Sequence, residues 1–279
     1  MTKNQALLKE QFPEVSWSFD LLLADKSYFK LGGSAEIFYK VKDLALLKKI
    51  LNFCEEQSIP WTLVGGLSNV VIADSGIDGL VLQMACNAFN LINQDSQEIT
   101  FEAEAGIKTN QLVMKAANLG GTGLEGFIGV PGTLGGAIYN NAHYLDFLIG
   151  DYIEEVTSFH VKNDEEIIFS HEKCEFAYEQ SVFQNPPNTE FLKKIFPQFA
   201  NQEFIPAGFL IDKAGLKGQR QGAIVVSDKH AAFLINLTDQ LKVPAKSSDL
   251  KKLISLIRST VKEKFQVELK EEIFYLGKD

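Results

Sequence analysis

The sequence predicts an α+β protein, and three patterns along the chain support that fold class. Apolar and polar residues alternate in 35–40 and in 99–104, which is typical of half-buried strands. Apolar residues recur at helical spacing in 43–57 and most clearly in 249–265, which predicts amphipathic helices. Between these elements lies the glycine stretch, residues 120–141, which contains eight of the 21 glycines of the chain.

The glycine stretch reads GGTGLEGFIGVPGTLGGAIYNN, and apolar residues are interleaved with its glycines. Glycine is used where the backbone adopts a positive φ or approaches another group closely. A segment that is both glycine-dense and apolar is expected to be buried against a large, partly flat neighbour. Its backbone N–H groups could wrap a phosphate or the edge of a ring system. A tight crossing between two packed layers is the alternative.

Composition and charge limit the function classes. The 279 residues are 46% apolar, which is enough for two or three domains with a sizeable core. A net charge of −9 without a long basic run argues against nucleic acid as a partner. The three cysteines and four histidines lack the spacing of a disulfide framework or a metal site, so no metal is expected. Because the chain has neither a signal peptide nor a run of about 18 apolar residues, we expect a soluble, cytoplasmic protein with no membrane partner.

Other elements are expected from the same patterns and from capping residues. Thr109 and Ser248 are predicted N-caps of helices, and Gly120 is predicted to stop the first of these helices. Further helices are predicted over 3–12, over 190–196 behind the cap Thr189, and over 207–218, where Gly215 or Gly218 would end the helix. The predicted strands are 61–64, 70–73, 79–84, 152–161 and 164–169, with others around His230.

A second glycine-rich turn, VGGLSNVV, lies between two predicted strands. Successive N–H groups at Gly65, Gly66, Ser68 and Asn69 could form an anion-binding concavity, with additional donors in the Ser68 hydroxyl and the Asn69 amide. The turn lacks the GxGxxG pattern and the acidic residue of a dinucleotide-binding βαβ unit. An ordinary hairpin turn is the alternative.

These segments together resemble the UDP-N-acetylenolpyruvoylglucosamine reductase family of flavoenzymes. GLEGFIGVPGTLGGAIYNNA is similar to the loop that the family places along FAD, VGGLSN is similar to its GGGSN turn, and SYFKLGG is similar to its NTFRIGG. AGFLIDKAGLKG and KHAAFLIN also resemble the family. The resemblance implies a two-part FAD-binding fold of the vanillyl-alcohol-oxidase (PCMH) type in 1–86 and 87–180, followed by a C-terminal α/β substrate-binding domain in 181–279.

The resemblance also implies the reaction. NADPH would be the electron donor, and bound FAD would reduce UDP-N-acetylglucosamine enolpyruvate to UDP-N-acetylmuramate in peptidoglycan precursor synthesis. The expected partner is this small nucleotide sugar, and a monomer is expected. The residues predicted to bind FAD are Gly65, Gly66, Leu67, Ser68, Asn69, Gly123, Gly129, Val130, Pro131, Gly132, Thr133, Gly135, Gly136 and Asn141.

Two residues are carried over as catalytic. Ser181 in SVFQNPP resembles the proton-donating serine of the family's SxFKNP motif; a serine that bonds the backbone of a turn is the alternative. VELKEEIFYLG resembles the family's VxLEPEVRxIG, which places Glu272 at the catalytic glutamate. Its neighbour Glu271 would point to the opposite face of a strand. A solvated surface carboxylate is the alternative for either glutamate.

The candidate substrate-binding residues are Tyr178, Asn185, Lys217, Arg220, Lys229 and His230. The resemblance supplies the tyrosine, the asparagine and the histidine. The lysines and the arginine supply local positive charge suited to a diphosphate. A satisfied core histidine is the alternative for His230.

The chain departs from the family in two places. CEFAYEQS resembles the family's CGFGYRDS, but Glu179 stands where the family has an arginine, and a carboxylate there would oppose negative charge developing on the substrate. FAYEQSVFQNPP also joins two motifs that the family separates by a strand and a helix, so Ser181 can be aligned with either motif. Two alternative functions follow: a member that binds flavin or nucleotide sugar without reducing it, and a flavin oxidase of the same wider fold.

Overall fold

The computed structural model describes residues 1–184, 206–265 and 267–277. Asn185 and the predicted helix 190–196 lie outside the described residues. Across the described stretches, no helix is both long enough and apolar enough to cross a membrane.

The described chain divides into two compact units. The first unit holds residues 1–21, 35–68 and 78–184. The second holds 22–34, 69–77 and the described residues from 206 onward. The three-domain division expected from the sequence remains a prediction.

The secondary structure follows the predicted order. The helices are α1 (Lys3–Gln11), α2 (Leu44–Gln57), α3 (Thr109–Asn118), α4 (Leu134–Asn140), α5 (Ala207–Lys213), α6 (Thr238–Leu241) and α7 (Ser247–Phe265). The strands are β1 (Ser18–Leu22), β2 (Ser34–Val41), β3 (Trp61–Val64), β4 (Val70–Ile72), β5 (Ile77–Met84), β6 (Phe89–Gln94), β7 (Ile99–Ala103), β8 (His143–Tyr144), β9 (Phe147–Leu148), β10 (Glu155–His160), β11 (Glu165–Ser170), β12 (Arg220–Gln221), β13 (Ile224–Val226), β14 (Leu234–Asn236) and β15 (Phe274–Leu276).

The first unit begins with a four-stranded sheet in the order β1-β2-β5-β3, in which β3 and β5 run parallel. The apolar positions of α2 and of the strands meet in one core, where Leu47, Ile50 and Cys54 of the helix join Ile37 and Leu80 of the sheet. This core explains the helical stripe and the strand alternation seen in the sequence, because each places its apolar side chains on a single face.

A second core of the first unit contains Ile107, Leu112, Phe127, Leu134 and Ile149. The antiparallel pair β10–β11 confirms the hairpin predicted over 152–169. Because Phe127 and Leu134 both belong to the glycine stretch, this stretch is a core segment as well as a loop.

The glycine stretch begins where α3 ends, and only part of the predicted capping is correct. Thr109 is the first residue of α3 rather than its N-cap, which is Lys108 without a side-chain bond. Gly120, with a φ of +85°, does end the helix: its N–H bonds Ala117 O at 2.9 Å, and the N–H of Gly121 bonds Ala116 O at 3.0 Å. This pair of bonds is the Schellman arrangement, which satisfies carbonyls that the helix leaves open.

The second unit combines the sheet β12-β13-β14 with α5 and α7. Leu250, Leu253, Ile257 and Val261 form the buried stripe of α7, as the sequence predicts. The predicted helix over 207–218 is shorter than expected: α5 stops at Lys213, and Gly215, with a φ of +79°, lies just beyond its end.

The glycine-rich turn between β3 and β4 is not a hairpin. In the first unit β3 pairs with β5, whereas in the second unit β4 pairs in parallel with β15. The hairpin alternative is therefore wrong, because the strands on either side of the turn belong to different sheets.

A distant carboxylate caps α7. Ser248, the predicted N-cap, lies inside this helix, which begins at Ser247. Asp74 Oδ1 accepts from the N–H of Ser247 at 2.7 Å, and Oδ2 accepts from the N–H of Ser248 at 3.1 Å. In return, the N–H of Asp74 donates to Ser247 Oγ at 3.1 Å. Burial alone would raise the pKa of the Asp74 carboxyl, but these hydrogen bonds outweigh burial and hold the pKa below its ordinary 3.8.

We expect Asp74→Ala to lower the free energy of unfolding by about 0.5–2 kcal/mol at neutral pH, because it removes the cap of the longest helix in the described chain. The folded-state pKa of Asp74 is depressed, so its contribution is full above pH 3.8 and is lost as the pH falls through the folded value. Urea unfolding at neutral pH and in acid measures both effects.

Asp25→Ala is the control. It removes a carboxylate of the same unit that makes no hydrogen bond among the described residues. An equal loss in the control, or a loss for Asp74→Ala that does not shrink in acid, would contradict the capping role.

Candidate functional site

The turn after β3 contains a strained residue. Leu67 has a φ of +55° and is only 3% exposed. Leucine is strained in this region, whereas glycine is not, and glycine is the residue that the resemblance leads one to expect here. Burial of the Leu67 side chain offsets that strain and fixes the course of the turn through Gly65, Gly66 and Ser68.

The two predicted cofactor segments meet at this turn, and both lie in the first unit. A Cβ added to Gly66 would lie 2.7 Å from the Cα of Gly132, and one added to Gly65 would lie 2.5 Å from Thr133 Oγ1. Gly132 has a φ of +122°, and a Cβ on it would lie 2.9 Å from Ser68 Oγ. No side chain fits between the two segments, so the backbones cross directly. We call this contact the glycine crossing.

The segment 105–110 forms hydrogen bonds with the second loop of the crossing. The N–H of Leu134 donates to Ile107 O at 2.9 Å, and the N–H of Gly135 donates to Ala105 O at 2.8 Å. Further along the loop, Asn110 Oδ1 accepts from the N–H of Gly129 at 2.8 Å. These bonds hold the loop in one conformation without closing off Gly129, whose missing side chain would point into open space.

The groups at the crossing suit a phosphate-bearing cofactor such as FAD. The hydroxyl oxygens of Thr109 and Thr133 are buried and have no hydrogen-bond partner among the described residues. An unsatisfied buried hydroxyl is costly, and an acceptor brought by a ligand would relieve that cost. Gly66 and Gly132 realise the alternative of a tight crossing, and contact of the glycine stretch with a cofactor stays a prediction.

A cleft of about 520 Å³ elsewhere in the first unit does not suit a diphosphate. Its lining has no lysine or arginine but includes carboxylates, which would repel phosphate. These are Asp95, Glu98, Glu125, Asp151 and Glu154. We therefore assign the candidate cofactor site to the glycine crossing rather than to this cleft.

Asn141 makes structural contacts, and its predicted contact with FAD stays a prediction. It is 1% exposed, and its φ of +41° ends α4. Its Oδ1 accepts from the N–H of Gly150 at 2.8 Å, and its Nδ2 donates to Ala177 O at 2.7 Å. Since its side chain is buried and engaged in these bonds, Asn141 ties the end of α4 to the segment that carries Tyr178.

Three polar side chains meet beside that segment. Tyr178 OH lies 2.8 Å from His143 Nε2, and the two rings lie 4.5 Å apart. Glu179 Oε1 lies 3.5 Å from the other ring nitrogen, Nδ1. The carboxylate at the position expected to be arginine is therefore next to a side chain that can carry positive charge.

Ser181 is held by the backbone. It is 4% exposed, its Oγ donates to Tyr139 O at 2.8 Å, and it accepts from the N–H of Phe183 at 3.3 Å. These are the contacts of the turn alternative. Because Tyr139 lies near the end of α4, Ser181 also satisfies a carbonyl that the helix leaves open. Its role as a proton donor stays a prediction.

In the second unit, the structure brings Glu272 beside Asn69. Asn69 Nδ2 donates to the main-chain carbonyl of Glu272 at 3.0 Å, and the Glu272 side chain is exposed. Glu271 differs from its neighbour, because its carboxylate accepts from Arg258 at 2.8 Å and from Tyr275 OH at 2.6 Å. The carboxylate of Glu271 is thus engaged within the unit, which favours Glu272 as the residue available for chemistry.

The candidate cations of the second unit lie around β12 and β13. Arg220, Lys229 and His230 are exposed, whereas Lys217 pairs with Asp212 at 3.0 Å. Exposure rules out the core-histidine alternative for His230. Ser227 Oγ accepts from the N–H groups of Lys229 and His230 at 3.2 and 3.3 Å, which fixes the turn that carries both side chains.

Sequence reasoning missed His143 and Thr109 as polar groups of this region. A lone histidine gave no signal beyond its position directly after the glycine stretch. Thr109 was interpreted as a helix cap, and its burial without a partner depends on contacts that only the fold creates.

Comparison with known proteins matches both parts of the chain. Residues 35–165 match a family model described as FAD binding domain, and residues 175–276 match one described as UDP-N-acetylenolpyruvoylglucosamine reductase, C-terminal domain. UDP-N-acetylenolpyruvoylglucosamine reductase of Caldicellulosiruptor saccharolyticus is 33% identical over 92% of this chain and 91% of that protein. The protein of the same name from Lactobacillus acidophilus is 30% identical over 99% and 98%.

A solved structure supports the fold. UDP-N-acetylenolpyruvylglucosamine reductase of Thermus caldophilus superposes with a TM-score of 0.67 at 24% identity, over 94% of this chain and 99% of that one. The predicted fold class is thereby confirmed: an α+β chain with a two-part FAD-binding fold of the vanillyl-alcohol-oxidase type and a C-terminal domain.

We expect Gly66→Ala to abolish retention of FAD by the purified protein, because the added carbon would meet the Gly132 backbone at 2.7 Å and separate the two loops. Visible flavin absorbance before and after reconstitution with FAD is the measurement. Gly136→Ala is the comparison variant: its added carbon meets nothing closer than 3.6 Å, so it should keep the loops packed and retain more flavin than Gly66→Ala. Full FAD content in folded Gly66→Ala protein would show that the crossing is not needed.

Proposed function

Because the chain belongs to the UDP-N-acetylenolpyruvoylglucosamine reductase family, we propose that it reduces UDP-N-acetylglucosamine enolpyruvate to UDP-N-acetylmuramate, using FAD and NADPH, in peptidoglycan precursor synthesis. The observation that carries the proposal is the glycine crossing, which lies inside the segment that matches an FAD binding domain. A direct backbone crossing with nearby unsatisfied hydroxyls is the kind of surface that a dinucleotide diphosphate needs.

In this proposal, the two loops of the crossing hold FAD through main-chain N–H groups. Gly65, Gly66 and Ser68 supply one side and Gly132 supplies the other, because the N–H groups of Gly129 and Val130 already donate to Asn110 and Phe127 and Pro131 has no N–H. Bound FAD would supply the chemistry that carries a hydride from NADPH to the methylene carbon of the enolpyruvyl group. The chain must position the substrate so that its methylene carbon can accept the hydride. It must also stabilise the negative charge that develops on the substrate and provide a proton.

Ser181 is the proposed proton donor. Its hydroxyl hydrogen is engaged with the Tyr139 carbonyl at 2.8 Å, so donation to substrate requires that this bond be exchanged for one to the substrate carbon. A serine hydroxyl is a weak acid in water, but the developing carbanion is a much stronger base. The bond to Tyr139 keeps the hydroxyl in one orientation until then.

Glu272 is the second proposed catalytic residue, and the exposed cations of the second unit are the proposed diphosphate contacts. Charge-assisted hydrogen bonds from Arg220 and Lys229 would neutralise the diphosphate, with His230 beside them. Tyr178 and Asn185 complete the proposed substrate contacts.

The positive charge expected from an arginine is absent at Glu179, and His143 lies 3.5 Å from that carboxylate. A protonated His143 would cancel the negative charge of Glu179 rather than leave it facing the substrate.

A member that binds flavin and nucleotide sugar without reducing the sugar is the second candidate. Two observations favour it: Glu179 occupies the expected arginine position, and Ser181 makes the contacts of a structural turn. Removal of one donor from an oxyanion site typically costs about 10²–10³ in rate.

The deciding experiment is oxidation of NADPH by the purified, FAD-loaded chain with and without the enolpyruvyl sugar. We expect NADPH consumption that depends on the sugar and yields the reduced lactyl ether. Binding of the sugar without NADPH consumption would favour the second candidate. Consumption that depends on oxygen but not on the sugar would favour an oxidase.

We expect Ser181→Ala to leave reduction of bound FAD by NADPH unchanged and to slow reoxidation by the enolpyruvyl sugar by about 10²–10⁴-fold, because general acid catalysis contributes on that order. Stopped-flow measurement of the two half-reactions separates the effects. Ser158→Ala in the β10–β11 hairpin is the control. Equal slowing of both half-reactions, together with lower stability, would identify Ser181 as a turn residue only.

A further inference from the structure

The parallel pairing of β4 with β15 aligns two segments that are far apart in sequence. Phe274 is paired with Val70, Tyr275 with Val71 and Leu276 with Ile72. This register places Asn69, the last residue of the glycine-rich turn, next to the residues that lead into β15. Glu272 is one of those residues, and 203 positions separate it from Asn69.

Two hydrogen bonds join Asn69 to this entry segment. Asn69 Nδ2 donates to the main-chain carbonyl of Glu272 at 3.0 Å, and the N–H of Phe274 donates to the main-chain carbonyl of Asn69 at 3.1 Å. Between these contacts, Ile273 packs against the core of the second unit. The backbone of Glu272 is therefore held by the hydrogen bond from Asn69 and by the packing of the adjacent, partly buried Ile273.

The side-chain amide of Asn69 adds a constraint that strand pairing does not. Glu272 precedes β15, so no ladder bond fixes its carbonyl. Without the amide, the peptide between Glu272 and Ile273 could rotate, and the exposed carboxylate would move with it. Glu271 does not share this dependence, because Arg258 and Tyr275 bind its carboxylate directly.

We propose that Asn69 is a positioning residue for Glu272, and that its side-chain amide sets the location of the catalytic carboxylate in addition to any contact of the turn with FAD. The inference rests on the proposed function, because it assigns Glu272 to reduction of the sugar. It predicts that Asn69 matters more for the half-reaction that consumes the sugar than for the one that consumes NADPH.

The test is a double-mutant cycle with Asn69→Ala, Glu272→Gln and the combined variant, each as FAD-loaded full chain in stopped-flow. With each variant saturated with FAD, we expect reduction of Asn69→Ala by NADPH to slow less than its reoxidation does. Its reoxidation by the enolpyruvyl sugar should slow on the order of 10–100-fold, the scale expected for a misplaced catalytic group. The combined variant should be no slower than Glu272→Gln alone, because Asn69 then has no carboxylate to position.

Asn236→Ala is the matched control. Asn236 lies in the same unit and its Nδ2 likewise donates to a main-chain carbonyl, that of Phe29 at 3.1 Å. We expect both half-reactions of this variant to match the unaltered chain. If Asn69→Ala does not fold, Asn69→Asp has nearly the same shape without the donor and takes its place in the cycle.

The outcomes separate the two hypotheses. Equal slowing of both half-reactions in FAD-saturated Asn69→Ala, or additive effects in the combined variant, overturns the positioning role while the proposed function stands. Failure of the unaltered, FAD-reduced chain to be reoxidised by the sugar overturns the proposed function, and the positioning role with it.

Discussion

The close approach of Gly66 to Gly132 is the constraint on which the rest of the first unit depends. A Cβ added to Gly66 would lie only 2.7 Å from the Cα of Gly132. Direct backbone contact therefore determines the spacing of the two loops. α4 starts directly after this contact, and its far end holds the Tyr178 and Ser181 segment through Asn141 and Tyr139. Since packed interiors transmit displacement, the geometry of that segment follows from a contact at the opposite end of the helix.

Charge is distributed locally in a way that the net charge of −9 conceals. The cleft of the first unit is lined with carboxylates, and Glu179 Oε1 lies 3.5 Å from His143 Nδ1. The exposed cations Arg220 and Lys229 belong to the second unit: Arg220 lies in β12, and Lys229 lies in a turn in which its N–H donates to Ser227 Oγ. An acidic protein can therefore present a diphosphate-binding surface, because a few cations held in place matter more than the total.

Local patterns predicted the elements well, and distant contacts account for most of the differences. The apolar stripe of α7 is visible in the sequence because its residues recur at helical spacing on one buried face. The residue that caps this helix, Asp74, is far from Ser247 in sequence, so no local pattern predicts the cap. The glycine-rich turn was recognisable from its sequence. The strands on either side of it nevertheless belong to different sheets, because β3 pairs with β5 and β4 pairs with β15. Ser181 fitted a motif, whereas its bond to Tyr139 required the fold.

The pairing of β4 with β15 also has a consequence for the order in which a growing chain can fold. On the ribosome, Val70–Ile72 emerges long before Phe274–Leu276. Until the later segment arrives, Val71, which is fully buried in the finished protein, lacks both its strand partner and the helix α7 that covers it. The first unit can assemble vectorially from residues already synthesised, but the second must wait for nearly the whole polypeptide, which is the late step typical of long-range β pairing.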